Sequence, residues 1–242
     1  MPELAAWQWA LGALCAFFIG VAKSGIPGLG MVAVPLMILT VGDARASVGW
    51  LLPILVVADF SALFFWRRHA DPKLLLKLAP WVLVGLSAGS VALGLSERYI
   101  RPLIAGIVLV MLAIYLIRRF RPSLLPAALH PAPYGFAGGF STTVANAAGP
   151  VMNLYMLSMN LTKEQFMGNT VWFFLIINLF KLPVYTYHGL LSRNSLTFDA
   201  MMVPLVLAGA VTGRWLFLHI SQRVFEAFVI VTVVVSTLLL FR

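Results

Sequence analysis

Charge is what this chain of 242 residues has least of: Asp, Glu, Lys and Arg together make up 10% of it, against about a quarter of an ordinary soluble domain. Apolar residues make up 61%. A soluble globule of this size would have to expose apolar patches far larger than monomers in water carry. That excludes an ordinary cytosolic enzyme and a disordered tail. Cysteine occurs once, as Cys15 inside an apolar run. This excludes a disulfide scaffold and a CxxC metal pair, and leaves Cys15 as a small buried hydrophobe. The four histidines, His69, His130, His188 and His219, fall at the ends of apolar runs or between them, with no HExxH or other close ligand spacing. There is no GxSxG elbow, and the glycines between Gly25 and Gly30 lack the GK[ST] of a phosphate loop. The sequence therefore calls for no cofactor and no metal, and gives an intramembrane enzyme no nucleophile–base pair to work with.

What charge there is leans basic, 17 Lys and Arg against 8 Asp and Glu, a formal +9. It is not spread as a nucleic-acid surface would need. Arg67, Arg68 and Lys73 form one cluster, and Arg118, Arg119 and Arg121 another, each between long apolar runs. Basic loops of this kind mark the cytoplasmic side of a membrane protein. The partners expected are the lipid bilayer and a small anionic solute, with no nucleic acid; a homo-oligomer is left open. The expected location is a bacterial plasma (inner) membrane.

A helix of about 20 apolar residues spans the hydrocarbon core. Leu4–Ala22, Ser47–Trp66, Leu74–Leu95, Pro102–Ile117, Phe166–His188, Phe198–Ile220 and Val224–Phe241 approach that length. Trp66, Tyr115, Tyr185 and Tyr187 read as headgroup-level aromatics at span ends. The first run does not read as a signal peptide, because Met1-Pro2-Glu3 is not basic and no small-x-small site closes the run. Two stretches interrupt the pattern. One is Lys23-Ser24-Gly25-Ile26-Pro27-Gly28-Leu29-Gly30, followed by the short run Met31–Val41. The other runs from Ser141 to Pro150 and has short apolar runs on both sides. Gly and Pro free backbone groups here, and inside lipid these must be satisfied by protein or a watered cavity.

Sliding the chain on itself by 119 residues brings the two interruptions together. Phe17 meets Phe136, Gly20 meets Gly139, Gly30 meets Gly149, Gly49 meets Gly168 and His69 meets His188. An offset of 124 then pairs Pro80 with Pro204, Gly85 with Gly209 and Gly89 with Gly213. The expected architecture is an all-α polytopic membrane protein of two homologous halves, each of four or five membrane segments with a broken or re-entrant Gly-rich element. The first half covers residues 1–121, a linker 122–133, and the second half 134–242. Loop charge does not separate inverted from parallel repeats. Short broken pieces meeting at mid-membrane favour inverted ones, and mark the position of a transporter's binding site.

At these interruptions the sequence resembles the TauE/SafE (sulfite exporter, formerly DUF81) family of membrane transporters. The first half carries the resemblance in Gly20, Gly25, Gly28-Leu29-Gly30 and Pro35-Leu36. The second carries it in Gly135, Gly138-Gly139, Gly149-Pro150, Leu161-Thr162-Lys163 through Phe166, and Gly168-Asn169-Thr170, with Tyr187-His188-Gly189 ending the next span. Where many relatives have adjacent glycines, this chain reads Gly-Leu-Gly and Ala-Ala-Gly-Pro. The resemblance implies export of sulfite, sulfoacetate or a related organosulfonate. A carrier of another small anion or of a thiol amino acid, and a non-transporting scaffold, are the alternatives.

An oxyanion leaving water needs new hydrogen-bond donors, which helix N-termini supply. The substrate-binding candidates are Lys23, Ser24, Gly25, Gly28 and Gly30 at the first interruption, and Thr142, Thr143, Asn146 and Gly149 at the second. Asn153 and Asn169 stand on the segments next to it. The alternative for the glycines is close helix packing. Buried charge or coupling falls to Asp59, Lys181 and Arg214. A basic group at the centre of a span costs roughly 2.5–3.5 kcal/mol. Lys23, at the interruption itself, is the candidate for anion attraction, with snorkelling as its alternative. For Lys181 and Arg214, nearer their span ends, snorkelling is the favoured expectation. Asp59 is the one carboxylate well inside a span, a proton-coupling group or partner of a buried lysine; its counterpart 119 residues on is Asn178. Asp199 and Glu226 read as favourable charges at helix N-termini.

Overall fold

A computed structural model describes residues 4–92, 97–120 and 130–240. Among them the fold is all helix: α1 (Ala6–Ser24), α2 (Ala33–Val41), α3 (Ala44–Trp66), α4 (Pro72–Ala92), α5 (Glu97–Phe120), α6 (Pro131–Ala145), α7 (Ala148–Ser158), α8 (Lys163–Tyr187), α9 (Arg193–His219) and α10 (Gln222–Leu240). Short 3-10 turns cover Leu29–Val32 and Arg67–His69. Among the described residues, five helices are long and apolar enough to cross a membrane: α1, α3 (with its extension to His69), α4, α8 and α9. The fold is that of an all-α polytopic membrane protein.

The helix ends follow local chemistry. Asp43 opens α3 by accepting from Ala46 N at 2.6 Å, Thr162 and Gln165 form a capping box on α8, and Ser192 caps α9. Gly42 ends α2 with φ +81°, a left-handed conformation that glycine takes without a Cβ clash. Helix α6 begins at Pro131, three residues before the expected second half. Prolines in its first turn fit there, because the first turn has no use for their missing N–H. The rest of the expected linker and Arg121 lie outside the described residues, as do the side chains of Arg118 and Arg119.

Two expectations for acidic residues are corrected. Helix α9 starts at Arg193, earlier than the apolar run suggested, because polar residues with good caps extend it. Asp199 therefore sits beyond the first turn, 5% exposed, with neither carboxylate oxygen hydrogen-bonded. Helix α10 likewise starts at Gln222, and Glu226 lies one turn in, accepting from Gln222 Nε2 at 2.7 Å.

Glycines set the packing. Along α1 and α9, Gly12 lies against Phe198, Gly20 against Val206 and Gly25 against Gly213, so the two helices run parallel. Helices α4 and α6 do the same: Gly135 lies against Leu78 and Val82, Gly139 against Val82 and Leu86, and Gly89 against Phe140 and Thr143. The backbones touch. A Cβ on Gly20 would stand 2.1 Å from the Val206 oxygen, and one on Gly139 would stand 2.3 Å from the Val82 oxygen. This is how small residues join helices where lipid tails offer no hydrophobic drive.

Helices α3 and α8 run antiparallel. Gly49 near the start of α3 meets Leu190 just past α8, and Trp172 Nε1 of α8 donates to the Arg67 carbonyl just past α3. Helix α1 ends beside the end of α3, where Trp66 Nε1 donates to the Ser24 carbonyl at 3.0 Å. Helix α6 ends beside the end of α8, where Tyr185 OH donates to the Thr143 carbonyl at 3.0 Å. So α1 and α6 point in opposite directions. Cys15 is fully buried against Ala33, as a small hydrophobe should be.

Substituting Gly25 or Gly139 by Ala is expected to lower the thermal midpoint of the detergent-purified protein, because overpacking a closed contact costs about 1–3 kcal/mol. Gly149→Ala should leave the midpoint in place, since a Cβ there meets nothing within 4 Å.

Candidate functional site

Both interruptions end a helix inside the bundle and leave its last carbonyls without intrahelical partners. At the first, Gly25 closes α1 and lies against the Gly213 backbone. At the second, Asn146 closes α6 with φ +51°; Asn is one of the few side-chain-bearing residues at home there. The negative end of a helix dipole favours a cation, and each interruption has a lysine beside it.

Lys23, in the last turn of α1, points inward. Its Nζ is 2.7 Å from Asp59 Oδ1 on α3 and 4.1 Å from the centre of the Phe174 ring on α8. Asp59 is fully buried, and its other oxygen accepts from Asn178 Nδ2 of α8 at 2.6 Å. Asp59 and Asn178 each lie within about 5 Å of the middle of their 25-residue spans, counted at 1.5 Å per residue. The pair therefore marks the centre of the bundle.

Lys181 follows Asn178 by three residues, so the two share a face of α8. It does not snorkel. Only 1% exposed, it donates to Thr142 Oγ1 at 3.2 Å, to the Thr142 carbonyl at 3.5 Å, and to Asn146 Oδ1. Its partners are the neutral oxygens that the end of α6 turns inward. Among the described residues no carboxylate forms an ion pair with it, whereas Lys23 is matched by Asp59. Five of the expected residues, Lys23, Asp59, Lys181, Thr142 and Asn146, thus gather into a network across α1, α3, α6 and α8, in two bonded groups, Lys23–Asp59–Asn178 and Lys181–Thr142–Asn146, that adjoin through the shared face of α8.

The others separate from it. Ser24 is fully buried, its carbonyl held by Trp66 and its hydroxyl without a partner. Thr143 turns its hydroxyl back to the Gly139 carbonyl at 2.9 Å. Gly25 is a packing glycine. Gly28 has φ +106° and lies against Thr232, so it serves the turn and the contact with α10. Gly30 and Gly149, which are 119 residues apart, have room beside them: a Cβ on Gly30 would meet only Ala22, at 3.6 Å. Gly149 is in the first turn of α7, whose N-terminus carries no side-chain cap and no acidic residue. Asn153 is buried farther along the same helix.

Asn169 is displaced from its expected role. It accepts from Asp71 N and donates to the Gln165 carbonyl, each at 2.8 Å, about 18 Å along α8 from Lys181. Its amide oxygen holds the α3–α4 connection, and its NH2 is tied to its own helix. Arg214 is half-buried and stacks over the Trp66 ring at 4.2 Å, with Phe65 and Phe217 around it. Trp66 and Tyr185, expected at the headgroups, are fully buried instead, because each supplies the donor that a terminated helix lacks. The signal for them was the same offset of 119, which relates Trp66 to Tyr185 and Ser24 to Thr143.

A family model described as Sulfite exporter TauE/SafE matches residues 12–240. The chain belongs to the TauE/SafE family. No curated protein and no solved structure matches it. The family is one of membrane transporters for sulfite-like anions, and this member is an integral membrane protein. The stretch around Leu161-Thr162-Lys163 in this TauE/SafE chain is scaffold. Thr162 caps α8, Lys163 Nζ donates to the Phe217 and Ile220 carbonyls at 3.1 and 2.7 Å, and Gly168 packs on the backbone of His69 and Ala70.

Removing one member of a buried ion pair costs about 3–5 kcal/mol, because the other is left unpaired. Lys23→Met and Asp59→Asn should each destabilise the protein to that extent, while the double variant recovers most of the loss. A double-mutant cycle of thermal unfolding in detergent measures it, and additive losses would mean that the pair contributes nothing.

Proposed function

We propose that this protein is a secondary transporter that exports a small sulfur-containing anion, sulfite, sulfoacetate or a related organosulfonate, across a bacterial plasma membrane. The anion binds at mid-membrane, between the end of α6, the start of α7 and the Lys181 ammonium. The observation that carries this reading is Lys181, a cation buried in the bundle and matched only by neutral oxygens.

Each neighbour has chemistry to offer an oxyanion. The Thr142 hydroxyl can rotate from acceptor to donor. The Asn146 amide can turn its NH2 inward, since Nδ2 is held only by a 3.4 Å bond to the Val48 carbonyl. The uncapped first turn of α7 offers N–H groups at the positive end of a dipole, and Gly149 leaves the approach open. Together they replace hydration lost on leaving water. Lys181 rather than Lys23 is the attracting cation, because Asp59 already neutralises Lys23.

The reading includes two inverted halves, α1–α5 and α6–α10, and alternating access at a midplane site between the two helix interruptions. The opposite directions of α1 and α6 support it. So does the pairing of equivalents: Trp66 with Ser24 in one half and Tyr185 with Thr143 in the other, and Asp59 meeting Asn178 between them. The basic cluster at Arg67, Arg68 and Lys73 favours a cytoplasmic position for the end of α3.

In inside-out vesicles, wild-type protein is expected to accumulate labelled sulfite, and Lys181→Met to lose at least nine-tenths of that flux at equal expression. Unchanged flux in Lys181→Met would remove the cation from the mechanism; absent flux in the wild type would end the substrate assignment.

A further inference from the structure

Three charged side chains make up the central network: Lys23, Asp59 and Lys181. Two are cations and one an anion. Each has partners that suit its ionised form. Asp59 stands 2.7 Å from the Lys23 ammonium and takes a donated N–H from Asn178. Lys181 has three oxygen acceptors around Nζ, which the three protons of an ammonium match. Among the described residues the other buried or half-buried charges stand apart: Lys163 and Glu164 lie in the first turn of α8, about 27 and 25 Å along it from Lys181, and Glu226 is near the start of α10 with Gln222. Arg214 is half-buried against Trp66. Asp199 adjoins Phe198, whose ring lies on Gly12, about 16 Å along α1 from Lys23. The network therefore carries one net positive charge in a medium where an unbalanced charge is costly.

We infer that this network selects its substrate by charge and so narrows the candidates named above: it accepts an anion bearing a single negative charge, such as hydrogensulfite or a simple alkanesulfonate, and rejects one bearing two, such as sulfate or fully ionised sulfoacetate. The inference rests on the transport function proposed above. A monoanion brings the buried total to zero. A dianion leaves one negative charge without a counterion, in a place where Thr142, Asn146 and backbone N–H groups offer only dipoles. Asp59 is then the specificity-determining residue. It need not touch the anion; it sets the charge left over by cancelling Lys23.

The probes are methanesulfonate and sulfate, tetrahedral sulfur oxyanions of similar size that carry one and two charges at neutral pH. In proteoliposomes the wild type is expected to move methanesulfonate at least ten times faster than sulfate. Asp59→Asn, with a total of two positive charges, should shift that ratio at least tenfold toward sulfate. The double variant Lys23→Met with Asp59→Asn restores the total of one, and should return to the wild-type ratio whatever its rate. A merely structural role for Asp59 would lower both fluxes and leave the ratio alone. Equal wild-type fluxes, or an Asp59→Asn ratio like that of wild type, would overturn charge selection while leaving sulfur-anion transport standing. If neither probe moves in the wild type while sulfite does, the inference fails and the transport reading stands; if sulfite does not move either, both fail. Should Asp59→Asn not fold, thermal melting of wild-type protein decides: methanesulfonate raises the midpoint and sulfate at equal ionic strength does not, and the reverse order overturns the proposal.

Discussion

Burying an ion far from water is the constraint that organises this protein. A lone ammonium or carboxylate at the centre of a bilayer is unfavourable enough to be tolerated only with a partner. Asp59 and Lys23 meet that requirement for each other, and Asn178 supplies the second hydrogen bond to the carboxylate. The geometry that allows it is demanding. Helix α1 must end where its lysine can reach α3, and α3 must cross α8 where an amide faces a carboxylate. Much else follows from those positions: the end of α1 at Gly25, the buried Trp66 that holds its last turn, and the backbone contact with α9.

Lys181 meets the same constraint by another route. Its charge is met by a hydroxyl, an amide oxygen and a carbonyl at the C-terminus of a helix, whose dipole has the favourable sign. Dipoles can be turned or exchanged, whereas a carboxylate on a neighbouring span cannot leave. The first lysine is fixed by its partner and the second is exchangeable. The difference lies in whether the position one helix away is Asp or a neutral residue.

The sequence shows the membrane class and the long helices plainly, because hydropathy at spans of this length is decided by composition more than by packing. Both interruptions are legible too, from Gly, Pro and small polar residues. The ends are less so. Helix α9 reaches back to Arg193 because Ser192 caps it, and a polar first turn carries no hydropathic signal. The fate of individual polar groups is the hardest to foresee, because it depends on contacts between residues far apart in the chain. Asn169 beside a glycine-rich motif looks like a ligand, yet the backbone of Asp71 occupies it. Lys181 looks like a snorkelling residue by position along its span, yet α6 ends beside it and offers acceptors. The glycines divide for a similar reason. Gly20, Gly25 and Gly139 are closed by an opposing backbone, while Gly30 and Gly149 are open, and only the fold says which is which.

The glycine seams carry a consequence for movement. Helices α1 and α9 touch backbone to backbone at Gly20, Gly25, Gly209 and Gly213, and α4 and α6 do so at Gly85 and Gly139. Contacts with no side chains between them have little room to slide, so each pair is a rigid plate. Each plate draws one helix from the first hundred residues of the chain and one from the last hundred or so. The two stretches of sequence are thus interleaved in space: two plates with α3 and α8 between them, meeting at the side chains of the centre.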